Sequence, residues 1–289
     1  MSKLKAIKPK QAKPAKAKIL VFAKAGAGKT YTSLDFPNVY YIDTEGGASL
    51  SHYTDKLEKS GGMYLGIEQG ANDFNTILEQ VDALMTEQHP FKTLVIDSTS
   101  KVFNDDVAAE AERLGDKNVF GADKKRAIGF MKRLVSRLSK LDMNVILIAH
   151  EKSLWFKGEQ VGVTFDCWDK LDYELDLCLN VIKQGNSRKA RVTKSRLEGF
   201  KDGELIDWSY ETFAERYGRD VLEADAKPVE LASPKQLQEI QGLLQNVKLE
   251  EGQEAKWFKK ANCESWQEME SDKIQACIDY IKTKLTNQQ

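Results

Sequence analysis

No apolar stretch in the 289-residue chain comes near the ~20 residues that a membrane span needs. The amino terminus also lacks the apolar middle region of a secretory signal, so the expected location is the cytoplasm, away from any membrane. Cysteine is scarce: Cys167, Cys178, Cys263 and Cys277 are scattered, without CxxC or Cys/His ligand spacing. That pattern argues against a structural zinc site and fits reduced thiols in a cytosolic compartment. Net charge is nearly absent as well, at −1, yet residues 1–18 hold seven lysines and no acid, which leaves −8 on the remainder.

What is present begins with that lysine-rich segment. Residues 1–17, MSKLKAIKPKQAKPAKA, have almost nothing to bury and read as a mobile basic arm. Such an arm is either a solvated tail or a nucleic-acid contact whose lysines exchange places with counterions along a phosphate backbone.

From Lys18 onward, short apolar runs alternate with longer amphipathic segments. KILVFA, NVYYID, KTLVID and NVILIAH each read as a strand buried on both faces of a parallel sheet. KTYTSLD, ANDFNTILEQVDALMTEQ and KKRAIGFMKRLVSRLSKL read as the intervening helices. The alternation predicts an open α/β sheet, which binds ligands at the carboxyl ends of its strands. After His150 the segments YELDLCLNVIKQ, RKARVTKSRLEGF and ELIDWSY, with turn signals QGNS and KDGE, predict hairpins that extend the sheet. The core is thus expected over 18–220 and a linker over 221–232. Residues 233–289 read as a small all-α module. There Ser233-Pro234 caps a helix with Leu237, Ile240, Leu243 and Leu244 on one face, and Ser265 with Glu268 offers a capping box. A last helix places Ile274, Ile278, Ile281 and Leu285 on one face. No internal repeat is seen.

The chemistry is carried by AKAGAGKT, Ala23–Thr30, directly behind the first strand. A phosphate cradle needs small residues so that successive backbone N–H groups can converge on phosphate oxygens, followed by a helix whose positive end faces them. Ala25, Gly26, Ala27, Gly28, Lys29, Thr30 and Tyr31 are the expected ATP contacts, with Lys29 reaching the β- and γ-phosphates and Thr30 binding magnesium. Ala23 stands where the motif usually begins with glycine, at the strand end and away from the close phosphate approach. In KTLVIDSTS, Asp97 ends a strand where its carboxylate can accept from a magnesium-bound water. Glu45 in YYIDTEGGASL either orients an attacking water or is an exposed acid before the Gly46-Gly47 turn.

At these residues the sequence resembles the RecA-like ATPase core, over roughly residues 18–215, and most of all the compact phage-encoded members that accompany single-strand annealing and recombination. The resemblance implies that Glu45 is the catalytic glutamate. It also implies that His150, at the end of VILIAHEKS, senses the γ-phosphate where recombinases typically carry glutamine. Lys194 and Arg196 in RKARVTKSRLEGF are two apart, so on a strand they share a face at ~6.6 Å. The family uses such a basic pair to reach the γ-phosphate held by a neighbouring subunit; the plainer reading is a pair of exposed strand cations. The resemblance further implies self-association with ATP at subunit interfaces, a single-stranded DNA partner, and host cytoplasm as the location. An annealing or single-strand-binding protein is a further candidate partner.

For DNA, Lys152, Trp155 and Lys157 in EKSLWFKGEQVGVTF, beside Phe156, mix cations with an aromatic suited to base stacking; the same aromatics could instead anchor a loop. Asn118 to Lys125 occupies the position of the family's other DNA loop, and His52 lies near the expected adenine position. A hexameric helicase-type motor, a nucleotide-dependent scaffold and a small-molecule P-loop kinase are the alternative activities. The kinase would need an acceptor pocket and a lid, and no residue cluster demands either.

Overall fold

A computed structural model describes residues 15–247 and 249–286; nearly all of the basic arm lies outside the described residues. The four apolar runs form β1 (Lys18–Ala23), β2 (Val39–Asp43), β4 (Thr93–Asp97) and the first half of β5 (Asn144–Phe156), with a short β3 at Met63–Leu65. With β7 (Leu177–Gln184) they make six parallel strands in the order β3-β2-β4-β5-β1-β7. β8 (Ser187–Ser195) and β9 (Leu205–Asp207) then extend this sheet antiparallel at one edge, as the hairpin signals predict.

Strand alternation sorts the core into two layers. Leu20, Phe22, Leu94, Ile96, Val145 and Leu147 face one side, where they meet α3 (Phe74–Thr86), α4 (Thr99–Leu114) and α5 (Lys124–Lys140). Ile19, Val21, Tyr41, Val95, Ile146 and Ile148 face the other, under Leu34, Leu57, Phe213 and Leu222. These four come from the region of α1 (Lys29–Ser33), from α2 (Ser51–Ser60), from α7 (Tyr210–Tyr217) and from α8 (Arg219–Glu223). On α5, Ala127, Met131, Leu134, Val135 and Leu138 are buried, the 3–4 spacing of a helix lying on a sheet.

Three expectations need correction. The segment after His150 does not leave the sheet as a loop: β5 continues to Phe156 and pairs with β6 (Glu159–Asp166). The two-residue turn Lys157-Gly158 has φ of 50° and 84°, the geometry that matches strand twist in a tight hairpin. The boundary at residue 220 falls inside α8, whose Leu222 is fully buried in the core and whose carbonyl accepts from Asn144 at 2.8 Å. Beyond α8 the chain lies against the domain, with the Val229 amide donating to the Met85 carbonyl at 2.8 Å. Likewise Ser265 and Glu268 start no helix: α10 (Gln253–Ala261) ends before them, α11 (Ser271–Thr286) begins after them, and Glu268 accepts from the Glu264 amide in a turn.

The carboxyl-terminal module otherwise follows its pattern. Ser233 and Gln236 form a capping box on α9 (Pro234–Asn246), and Ile240, Ile274, Ile278 and Ile281 are fully buried in a core of their own. Arg137 of α5 reaches Glu268 at 3.6 Å, and the Ser136 hydroxyl donates to the Asn262 carbonyl at 3.1 Å. No helix among the described residues is long and apolar enough to cross a membrane.

Candidate phosphate-loop site

Parallel register brings the strand ends level. Ala23 of β1 pairs with His150 of β5, Asp43 of β2 with Asp97 of β4, and Asp97 with Ile148. The loops that leave these ends therefore open on one edge, where Lys29, Glu45, Asp97, Ser98 and His150 meet.

The loop from Lys24 to Gly28 turns through Gly26 and Gly28, whose φ values of 72° and 93° are ones that a side chain rarely tolerates. Ala27 is buried in the core between them, whereas Ala25 faces out. Lys29, only 8% exposed, donates to the carbonyls of Ala23 at 3.0 Å and Lys24 at 3.2 Å. Burial lowers its ammonium pKa, opposed by Asp97, Glu45 and Glu151. The next residue, Thr30, donates its hydroxyl to Asp97 Oδ2, and Tyr41 donates to the same oxygen at 3.4 Å. Burial pushes the Asp97 carboxyl up to about 6, with Thr30 resisting the rise.

Glu45 is held from two sides. Its Oε1 accepts from the Ser98 hydroxyl at 2.6 Å and lies 2.5 Å from His150 Nε2, while Ser98 and His150 are 3.3 Å apart. The peptide joining Asp97 to Ser98 is cis. Beneath Glu45, the buried Asp43 carboxylate accepts three backbone N–H groups: Glu45 at 3.1 Å, Gly46 at 3.0 Å and Ala48 at 2.6 Å. An Asp at a strand end that turns back to cap its own loop is a recognised local habit, so the motif DTEGG carried that signal although the spacing alone drew attention only to Glu45. Ser98 and Asp43, which hydrogen-bond at this edge, are positions that the sequence reading passed over, together with Asn180. The last donates to Glu151 at 3.0 Å and to the Phe22 carbonyl at 3.3 Å across three strands; no local pattern announces a contact of that range.

Tyr31 lies at the flank of the loop. Its ring faces Lys56 Nζ at 3.5 Å and the Arg188 guanidinium at 4.9 Å, with His52 at 6.5 Å between ring centroids. His52 is thus beside an expected ATP contact.

Lys194 and Arg196 stand apart from this cluster. β8 ends at Ser195, so Arg196 lies just past the strand; Lys194 donates to the Leu175 carbonyl and Arg196 to the Tyr173 carbonyl, in and just after α6 (Leu171–Glu174). Among the described residues neither side chain is hydrogen-bonded to the phosphate loop of its own chain. On the β5–β6 ribbon, Trp155 and Phe156 are exposed and Lys157 lies over the Phe156 ring at 5.4 Å. Lys152 is already paired, with Asp169 at 3.2 Å and Asp166 at 3.7 Å. In the segment Asn118–Lys125, Phe120 is fully exposed. Among the described residues no three His, Cys, Asp or Glu side chains gather to hold a metal.

A glycine-rich loop between strand and helix, facing the acidic ends of neighbouring parallel strands, defines a P-loop α/β protein. Residues 15–202 match the model of the AAA domain family, well over half of the chain, and the chain belongs to that family. Among solved structures it is similar to the RadB recombinase, at 16% identity over 66% of this chain and 86% of that one, with a TM-score of 0.43. No curated protein matches it.

Proposed function

We propose that the protein is a magnesium-dependent ATPase of RecA-like organisation that assembles head to tail and binds single-stranded DNA in phage-type recombination or annealing. The observation that carries this reading is the convergence of Lys29, Thr30, Asp97 and the doubly held Glu45 at one sheet edge. Lys29 would leave its loop carbonyls for the β- and γ-phosphates, whose charge restores what burial takes from the ammonium. The oxygens of Thr30 and Asp97 are hard donors that suit magnesium, an ion that keeps several waters beside one or two protein ligands. When bound, the ion supplies charge neutralisation on the phosphates and favours the ionised form of Asp97.

Glu45 would orient, or take a proton from, the water that attacks the γ-phosphate. Ser98 and His150 fix its carboxylate, and Asp43 fixes the backbone that carries it. His150, bonded to Glu45, would report phosphate occupancy along β5 to the ribbon, where Trp155, Lys157 and Lys152 would meet DNA. Lys194 and Arg196, whose side chains are bonded among the described residues only to backbone carbonyls, would suit a role toward a neighbour's phosphate better than one toward their own. Residues 233–289 would recruit an annealing or single-strand-binding partner.

ATP turnover with and without single-stranded DNA tests the reading. Lys29→Ala should abolish hydrolysis, and Glu45→Gln should cut it by ~10²–10⁴ while ATP binding persists. Equal, appreciable turnover in both conditions would sink the DNA coupling, and turnover surviving in Lys29→Ala would sink the assignment of the site.

A further inference from the structure

Arg188 is out of place for a surface cation. It is the second residue of β8, its backbone fixed by pairing with Lys183 and by the Trp208 amide, which donates to its carbonyl at 2.9 Å. Its side chain lies directly on the phosphate loop: a Cβ placed on Gly28 would come within 2.0 Å of Arg188 Nε and 2.5 Å of Cδ. The guanidinium faces Tyr31 at 4.9 Å, the ring that Lys56 also approaches. Among the described residues it makes no hydrogen bond or ion pair, and its Nε is buried without a partner. A buried, unpaired donor on a charged group is costly, and here a second cation, Lys56, shares the same ring. An anion at the loop would remove that cost.

We infer that Arg188 is a phosphate ligand of the bound nucleotide, supplied by β8 of the same chain. The inference rests on the nucleotide-binding reading above. Arg188 packs on the Gly28 and Tyr31 flank of the loop and is bonded to none of Glu45, Ser98 and His150, the group assigned to the γ-phosphate. Its acceptor therefore belongs to the part of the phosphate chain that ATP and ADP share. Gly28 suits the site by its positive φ, and any side chain added there would have to displace the arginine from the loop. β8 also carries Lys194 at its far end, so a single strand would touch the nucleotide of its own subunit and lead toward that of the next.

The test is the rise in melting temperature of the full-length protein on adding ATP or ADP with magnesium, for wild type, Arg188→Gln, Arg188→Lys and Lys29→Ala. A charged hydrogen bond of ~1.5–3 kcal/mol corresponds to a roughly 10- to 100-fold loss of affinity. Arg188→Gln should lose that much toward both nucleotides alike, and Arg188→Lys should lose less. Without nucleotide, Arg188→Gln should melt no lower than wild type, because an unpaired charge has been removed. Unchanged affinity for both nucleotides would overturn the inference; so would a loss confined to ATP, or a fall in the nucleotide-free melting temperature with affinity intact. If wild type and Lys29→Ala respond alike, the nucleotide-binding reading itself fails and Arg188 falls with it. Loss in Lys29→Ala with none in Arg188→Gln would sink the arginine alone.

Discussion

Replacing Asp43 by asparagine changes one oxygen to an amide nitrogen and leaves shape untouched, yet it should damage both stability and catalysis. The carboxylate serves three N–H donors, two on Oδ1 and the Ala48 amide on Oδ2. The lower-cost orientation of the asparagine keeps its oxygen toward Glu45 and Gly46, which turns an NH₂ group toward the Ala48 N–H. A donor then faces a donor beside a residue that is only 2% exposed, and the two remaining bonds lose their charge. With ~1.5–3 kcal/mol for a charge-assisted bond and ~1–3 for the stranded donor, the expected loss is about 2–4 kcal/mol by urea unfolding, limited by local fraying of the loop. Because Glu45 is two residues on, turnover should fall ~10- to 100-fold through misplacement of the carboxylate. Nucleotide affinity, which depends on the separate loop at Lys29, should change little. Stability within about 0.5 kcal/mol of wild type together with unaltered turnover would refute the reasoning.

Trp155→Ala on the exposed ribbon should weaken single-stranded DNA binding by ~1–3 kcal/mol and leave ATP binding intact; a fluorescence titration that shows no change would remove the ribbon from the DNA site. Ile278→Ala, at a fully buried position of the helical module, should cost ~2–5 kcal/mol, visible as earlier urea unfolding of that module. Lys18 donates to the Leu141 and Met143 carbonyls at 2.7 Å each, and burial lowers its ammonium pKa to about 7. The unfolded chain then binds more protons between pH 7 and the ordinary lysine range, so this group makes stability rise with pH across that window, by at most about 1.4 kcal/mol per unit. The comparison with Lys18→Met isolates the effect from Cys167 and Cys178, whose thiols burial pushes up to about 12 and which act in the opposite direction at alkaline pH. Parallel pH curves for the two proteins between pH 7 and 9.5 would contradict it.

The legible part of this protein is the part written in local pattern. Four apolar runs gave the positions of β1, β2, β4 and the start of β5, and small residues ahead of Lys29 and Thr30 marked the loop, because period and spacing act over a few residues. Ser233 and Pro234 announced α9 by the same kind of short-range rule. What stayed hidden depends on the third dimension. Arg188 reaches Gly28 across 160 positions of chain, and nothing near RKARV marks it as different from Lys189 or Arg191. The ribbon was obscured for another reason: beyond His150 both its faces are largely exposed, so the alternation that reveals a half-buried strand is blurred by Leu154, Trp155 and Phe156 in a row. Residues 221–232 read as a linker, although backbone bonds to Met85 and to the helical module hold them down.

β5 is a single strand of thirteen residues, held between parallel neighbours along its inner half, paired to β1 as far as His150, and beyond that paired among the described strands only with β6. Mechanically it is a cantilever whose root is His150. The six residues from there to Phe156 span about 20 Å at ~3.3 Å each. A tilt of about 5° at the root, where His150 touches Glu45, would move the tip by about 2 Å over that length. A displacement too small to disturb the packed interior is thereby magnified at the aromatic end, and the stiffness of the paired ribbon sets how much of it arrives.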